Sequence, residues 1–153
     1  MTGGTRPCLV VLVGLPGSGK STWAARQGAA VISSDHLRYI LSDDETNQAI
    51  HRRVFGLMRL LVRIRIELCR PVTYIDATHL TRRERRPWIK MAELYDCDVD
   101  AVFFDVPLEI CKQRNAARGR VVPEEALQAM AQRLVPPAVE EGFRRVITVS
   151  ALE

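Results

Sequence analysis

The sequence predicts an α/β fold in three layers, with a central parallel sheet of about five strands, helices on both faces and a helical lid. Three observations predict it. Short runs of valine, isoleucine and aromatic residues alternate with longer amphipathic segments. The first such run ends in a glycine turn and a lysine, "VVLVGLPGSGKSTW" at residues 10–23. Two later runs end at, or just before, an aspartate. Strands are expected at Cys8–Val13, Ala30–Ser33, Val72–Ile75, Val99–Phe104 and Val146–Val149.

The helices follow from their start and stop signals. One opens straight after the glycine turn, and a short one over His36–Leu41 has Ser34 or Asp35 as its cap. The longest is expected to begin at "SDDE", where Ser42 and Glu45 have capping-box spacing. It carries Ile50, Val54, Leu57, Leu61, Ile64 and Leu68 on one stripe and Arg52, Arg59 and Arg63 on another, and Pro71 stops it. Thr81 and Glu84 box the next helix, with Pro87 a soft spot in its first turns. Pro107 suits the first turn of another helix and Gly119 its end. A last helix runs from Pro123 to about Val135, before Pro136-Pro137.

At 153 residues the chain is expected to form one domain, residues 1–153, a size that buries about 70% of its unfolded surface. Hydrophobic residues at 47% and charged residues at 26% are ordinary for a globular protein. The longest apolar stretch, Leu9–Val13, cannot span a bilayer, and no signal peptide opens the chain, so no membrane association is expected. Cys8, Cys69, Cys97 and Cys111 form no CxxC pair and read as reduced core thiols, which suits the cytoplasm. Net charge is +4, with 19 arginines against three lysines. A coding bias accounts for part of that; the planar guanidinium also suits phosphate. A basic surface permits nucleic-acid binding without requiring it.

Gly14-Leu15-Pro16-Gly17-Ser18-Gly19-Lys20-Ser21 fits GxxxxGK[ST], the Walker A signature, between a strand and a helix as the motif requires. It makes the fold a P-loop NTPase type. Gly14, Pro16, Gly17, Ser18, Gly19 and Thr22 shape a backbone cradle for the phosphates of ATP. Lys20 would bridge the β- and γ-phosphates, and Ser21 would ligate Mg²⁺. Asp35, in "VISSDHLR", is either the base that takes an acceptor proton or a helix cap. Arg38, one turn on, binds an acceptor phosphate or pairs with Asp35. Asp76, ending the strand in "YIDATHL", is either a second Mg²⁺ carboxylate or an Asx turn. Thr78 lies in the loop behind it as an acceptor contact, and His79 reads as a solvated loop histidine. Arg82, Arg83, Arg85 and Arg86 form either a solvated basic face or a phosphate attractor. Arg114 and Arg118, four apart on one helical face, and Arg120 just beyond, look like a lid over a transferring phosphoryl group; cations near a helix C-terminus are favoured in any case.

The order GLPGSGKST, SSDHLR, SDDE, YIDATHL, CKQRNAARGR resembles the 5′-polynucleotide kinase domain of bacterial and phage end-healing enzymes, over about residues 9–133. The resemblance implies ATP-dependent phosphorylation of a 5′-hydroxyl on DNA or RNA. It implies that Asp35 is the general base and that Arg38 binds a phosphate of the acceptor strand. It also implies that Arg114 and Arg118 belong to the lid over ATP, with Arg120 offset from a third lid position by about a residue. Such kinases are commonly fused to phosphatase, ligase or nuclease-like modules. This chain has no room for one, so a stand-alone kinase or an excised domain is expected. Two other readings remain: a kinase of a small-molecule or antibiotic hydroxyl, and an ATP-binding switch that hydrolyses slowly to drive a partner. With nine aromatic residues, little base-sequence preference is expected.

Overall fold

A computed structural model describes residues 6–118 and 122–150. Five strands, β1 (Cys8–Val13), β2 (Val31–Ser33), β3 (Val72–Asp76), β4 (Asp98–Asp105) and β5 (Val146–Ser150), form one sheet in the order β2-β3-β1-β4-β5. Every pairing is parallel. β1 lies in the middle, and its alternating side chains serve both faces. Leu9, Val11 and Val13 enter one core and Val10 and Leu12 the other. A strand covered on both faces must be apolar throughout, which explains the unbroken run "LVVLV".

The helices α1 (Lys20–Ala25), α2 (Ser34–Ser42), α3 (His51–Glu67), α4 (Arg82–Leu94), α5 (Leu108–Ala117) and α6 (Glu124–Arg133) cover the two faces. The core beneath α3 and α4 is built on Val54, Met58, Val62, Trp88 and Ile89. The other contains Ala24, Cys111 and Leu127, from α1, α5 and α6. Trp23 meets Tyr74 and Phe104 edge-on, with ring centroids 5.7 and 5.6 Å away, and so seats α1 on the sheet. From β1 the chain crosses to β2 and from β3 back to β4, so connections leave β1 and β3 in opposite directions. Such a switch point opens a crevice at the carboxyl ends of the strands. Among the described residues, no helix is long and apolar enough to cross a membrane.

Three expectations need correction. The Ser42–Glu45 capping box does not form. The Ser42 hydroxyl donates to the Arg38 carbonyl (2.8 Å) and closes α2. Asp43 then turns with φ 58°, and Asp44 Oδ1 accepts from the Thr46 N–H at 2.9 Å. The long helix therefore starts at His51. Its buried stripe is Val54, Met58, Val62 and Ile66, rotated from the expected one, and leaves Ile64 and Leu68 exposed. Cys69 is exposed rather than a core thiol, whereas Cys97 and Cys111 are buried; all four cysteines are free.

The Thr81 box does form. Thr81 Oγ1 accepts from the Glu84 N–H at 3.2 Å, and α4 runs through Pro87 to Leu94. Arg85 departs from the basic-face reading. It shares the buried stripe of α4 with Trp88, Ile89 and Ala92. Its guanidinium donates to both carboxylate oxygens of Glu141, each at 2.9 Å, and to the His79 carbonyl at 2.9 Å. Both side chains are almost fully buried. Breaking such a pair from one side strands a charge and costs about 3–5 kcal/mol. Glu141→Ala should lose about that much stability in urea unfolding. Leu94→Ala, at a side chain left 76% exposed, should change it by no more than about 0.5 kcal/mol.

Candidate active site

The glycine turn after β1 curls back beneath itself. The Lys20 ammonium donates to the Gly14 and Leu15 carbonyls, each at 2.9 Å. An ammonium has three N–H donors, so one remains for a ligand. Burial pulls Lys20 below the ordinary lysine range, while Asp76 and Asp35 act to raise it. Gly17 and Gly19 hold φ values of 83° and 96°, which side-chain-bearing residues rarely adopt. A Cβ on Gly17 would also stand 2.8 Å from the Cys111 carbonyl. The turn is thus pressed against α5 with no space for a side chain. The first N–H groups of α1 have no carbonyl one turn back, so this cradle fits the phosphates of a nucleotide. Gly14 and Ser18 support the cradle from below: the Gly14 N–H donates to the Thr78 carbonyl (3.0 Å), and Ser18 is buried.

The neighbouring strand contributes a carboxylate. Asp76 is buried at the end of β3, and Ser21 Oγ donates to its Oδ2 at 2.7 Å. A hydroxyl beside one carboxylate suits Mg²⁺, which keeps several of its waters. Among the described residues no group of three histidine, cysteine, aspartate or glutamate side chains could hold a metal, so an all-protein cage of the zinc or calcium kind is not built here.

Register brings in the start of α2. Ser33 lies opposite Asp76 in the β2–β3 ladder, so the start of α2 sits beside the end of β3. Ser33, and neither Ser34 nor Asp35, caps α2, accepting from the His36 N–H at 3.3 Å. Asp35 is therefore not spent on capping. Its half-exposed carboxylate pairs with Arg38 Nη1 at 3.2 Å. The Arg38 side chain is buried, and its Nε has no hydrogen-bond partner. A buried donor without an acceptor costs about 1–3 kcal/mol, a penalty that an anionic ligand removes.

These groups share a cleft of about 1120 Å³. Lys20, Ser21, Asp35, Arg38, Asp76 and Thr78 all line it, as do Pro16, Gly17, Gly19 and Thr22 of the turn. Arg118 lines it too, but not from a helical face shared with Arg114. α5 stops at Ala117, and Arg118 continues in extended conformation, φ −88° and ψ 156°. Arg114 stands against the turn itself, with Nη1 3.4 Å from the Gly17 carbonyl. Arg120 lies outside the described residues. Arg82, Arg83 and Arg86 are exposed and do not line the cleft.

Sequence reasoning missed two sets of residues. His51, Arg52, Phe55 and Arg59 of α3 form part of the cleft wall; their one signal was the arginine stripe on that helix. His79 is no solvated loop residue but is buried to 2% exposure. Its Nδ1–H donates to the Leu12 carbonyl at 2.6 Å, and its Nε2 accepts from the Trp88 indole N–H at 3.0 Å. That pair of roles requires the neutral ring. Burial, aided by the Lys20 and Arg85 charges, pushes His79 down from 6.5 to about 4 against the pull of the Leu12 bond. No periodicity marks this residue. Arg85 did carry a signal, since it falls on the stripe of Trp88, Ile89 and Ala92.

Comparison with known proteins agrees with this geometry. The family described as AAA domain matches residues 9–137. The chain is 26% identical over 145 residues to the bifunctional polynucleotide phosphatase/kinase of Schizosaccharomyces pombe, a match covering 90% of this chain and 32% of that protein. Its fold is similar to a chain in the Pnkp1/Rnl/Hen1 complex, with TM-score 0.63 and 26% identity, over 80% of this chain and 42% of that one. A gluconokinase from Sinorhizobium meliloti 1021 is similar at TM-score 0.59 and 21% identity, over 97% of this chain and 85% of that one. The chain thus spans about a third of the length of its curated relative. The fold is that of P-loop kinases, which carries ATP binding with it.

The neutral state of His79 has a pH signature. Between about 4 and 6.5 the unfolded chain holds a proton that the folded chain refuses. The stability contributed by the depressed pKa is therefore complete above 6.5 and is lost as pH falls toward 4. Urea unfolding across that window should show a slope of up to one proton that His79→Gln removes.

Proposed function

The chain belongs to the AAA domain family, and from that premise we propose that it is an ATP-dependent kinase acting on the 5′-hydroxyl ends of DNA or RNA. The observation that carries this reading is the wall facing the phosphate turn. It sets the Asp35 carboxylate among three guanidinium groups, Arg38, Arg52 and Arg59, with Glu84 also lining the cleft. A compact sugar needs polar partners for its hydroxyls. A strand needs cations for its phosphates, and this wall offers cations.

In this reading Asp35 takes the proton of the attacking 5′-hydroxyl as its oxygen bonds to the γ-phosphorus and the bond to the β-phosphate oxygen breaks. Arg38 orients Asp35 through their ion pair and offers Nε to an acceptor phosphate. Lys20 spends its remaining N–H on a phosphate oxygen of ATP, and Arg118, with Arg114 and Arg120 as its companions, neutralises charge that builds on the transferring group. Ser21 and Asp76 would hold Mg²⁺, which when bound would neutralise phosphate charge. Thr78, fixed to Gly14, borders the acceptor. Little covalent chemistry falls to the protein, and positioning and charge do the rest. The bifunctional relative pairs kinase with phosphatase in one name. A companion phosphatase, ligase or nuclease module, on the same chain or another, fits an end-healing role in the cytoplasm.

Asp35→Asn keeps shape and the partner of Arg38 while removing the basic oxygen. It should slow transfer by ~10²–10⁴-fold with ATP affinity unchanged. Single-turnover labelling from γ-labelled ATP measures this, and a wild-type rate would place the base elsewhere.

Three arginines meeting acceptor phosphates predict a salt slope near −2, at about −0.7 per phosphate of a single strand. Raising salt from about 50 to 200 mM should weaken oligonucleotide binding roughly 20-fold, and Arg52→Ala should flatten the slope by about 0.7. Equal, salt-indifferent labelling of a nucleoside and an oligonucleotide would instead favour a small-molecule kinase. ATP turnover unaffected by any hydroxyl acceptor would favour a switch.

A further inference from the structure

The cleft wall contains an aromatic pair that neither the fold nor the transfer chemistry uses up. His51 and Phe55 lie one turn apart on α3, with ring centroids 4.6 Å apart and ring planes inclined by 34°. Both line the cleft, as do Arg52 and Arg59 of the same helix. Seven other rings are spent on packing: Trp23 against Tyr74 and Phe104, Trp88 against His79, and Phe103 and Phe143 inside a core; Tyr39 is exposed but does not line the cleft. Phe55 rests against that same core yet is only half-buried, and His51 is exposed.

A one-turn aromatic contact on a helix surface is worth only a few tenths of a kcal/mol by itself. Its placement is what carries meaning. An apolar ring kept accessible in a wall of guanidinium groups is poorly placed for water and well placed for a flat aromatic group tethered to phosphates. A nucleobase at a strand end is such a group. Desolvation and the Arg38 guanidinium hold His51 below the ordinary histidine value, with Glu84 opposing them, which favours an uncharged ring at neutral pH.

We propose that His51 and Phe55 form the stacking platform for the base of the acceptor's 5′-terminal nucleotide, with Arg52 and Arg59 receiving the phosphates that follow. The proposal rests on the polynucleotide reading above. Every base has a π-face, so such a platform grips any sequence alike. It sets the terminal sugar by its base and thereby presents the 5′-hydroxyl to Asp35. A free sugar alcohol forfeits that grip.

The test uses the full chain, ATP and two 5′-hydroxyl oligonucleotides identical except that one carries an abasic terminal sugar. Wild type should show a KM about 5- to 100-fold lower for the base-bearing strand, the range of a single base–aromatic stack. Phe55→Leu keeps apolar bulk against the core and removes the π-face. It should raise the KM of the base-bearing strand to that of the abasic one, leaving the abasic KM and the KM for ATP unchanged. Phe55→Trp should restore the difference. Equal use of both strands by wild type overturns the platform while leaving the kinase reading intact, and needs no variant to fold. A Phe55→Leu effect of the same size on both strands overturns it as well. Labelling of neither strand overturns the polynucleotide reading and the platform with it.

Discussion

Where β1 and β3 run out at the carboxyl edge of the sheet, two hydrogen bonds join the loops that leave them, and the site depends on that join. The β1–β3 ladder ends with Val11 opposite Ile75. Beyond it the Leu12 carbonyl is taken by His79 Nδ1–H and the Gly14 N–H by the Thr78 carbonyl. The phosphate turn and the loop behind Asp76 therefore move as one piece. The join needs a neutral imidazole, and Trp88 from α4 enforces that by donating to Nε2. Arg85, one turn before Trp88, bonds the His79 carbonyl and anchors itself on Glu141. A chain of buried polar groups thus runs from a 3₁₀ turn at Val139–Glu141 to the floor of the phosphate cradle. Satisfied at each member, such a network stiffens what it touches.

The arginine surplus divides into two uses that composition cannot separate. Arg65 donates to Thr73 Oγ1 and the Val72 carbonyl, tying α3 to the start of β3. At the amino end of the sheet, burial acts to raise Asp100, but Arg144 and Arg145 outweigh it through their hydrogen bonds and hold the carboxyl below its ordinary value. These guanidinium groups, with Arg85, are structural. Arg38, Arg52, Arg59 and Arg118 face the cleft at the opposite end. Others, Arg82, Arg83 and Arg86 among them, are exposed away from the cleft. The same residue type is used twice because its planar fork serves a buried carboxylate and a phosphate equally well.

The phase of α3 decides what the cleft wall presents. Its buried residues recur every fourth position, from Val54 to Ile66, so the core line drifts around the helix axis. That drift exposes Leu60, Ile64 and Leu68 on one flank and leaves His51, Arg52, Phe55 and Arg59 beside the cleft on another.

The sequence by itself determined the strand–turn–helix of the phosphate cradle, the five parallel strands and the carboxylates at two strand ends. Each is a local signal: a continuous apolar run, glycines where no side chain fits, and a polar residue where a buried strand meets solvent. It also marked Thr81 as a cap, because a cap bonds within its own turn. Only tertiary structure decided that His79 and Arg85 are buried, and that Arg118 leaves its helix before reaching the cleft. It likewise decided which face of α3 meets the site. Those outcomes turn on partners far away in the chain: Leu12 for His79, Glu141 for Arg85, and the β2–β3 register for Asp35. A hydrogen bond across 67 residues, as between His79 and Leu12, leaves no periodic trace in either segment that makes it.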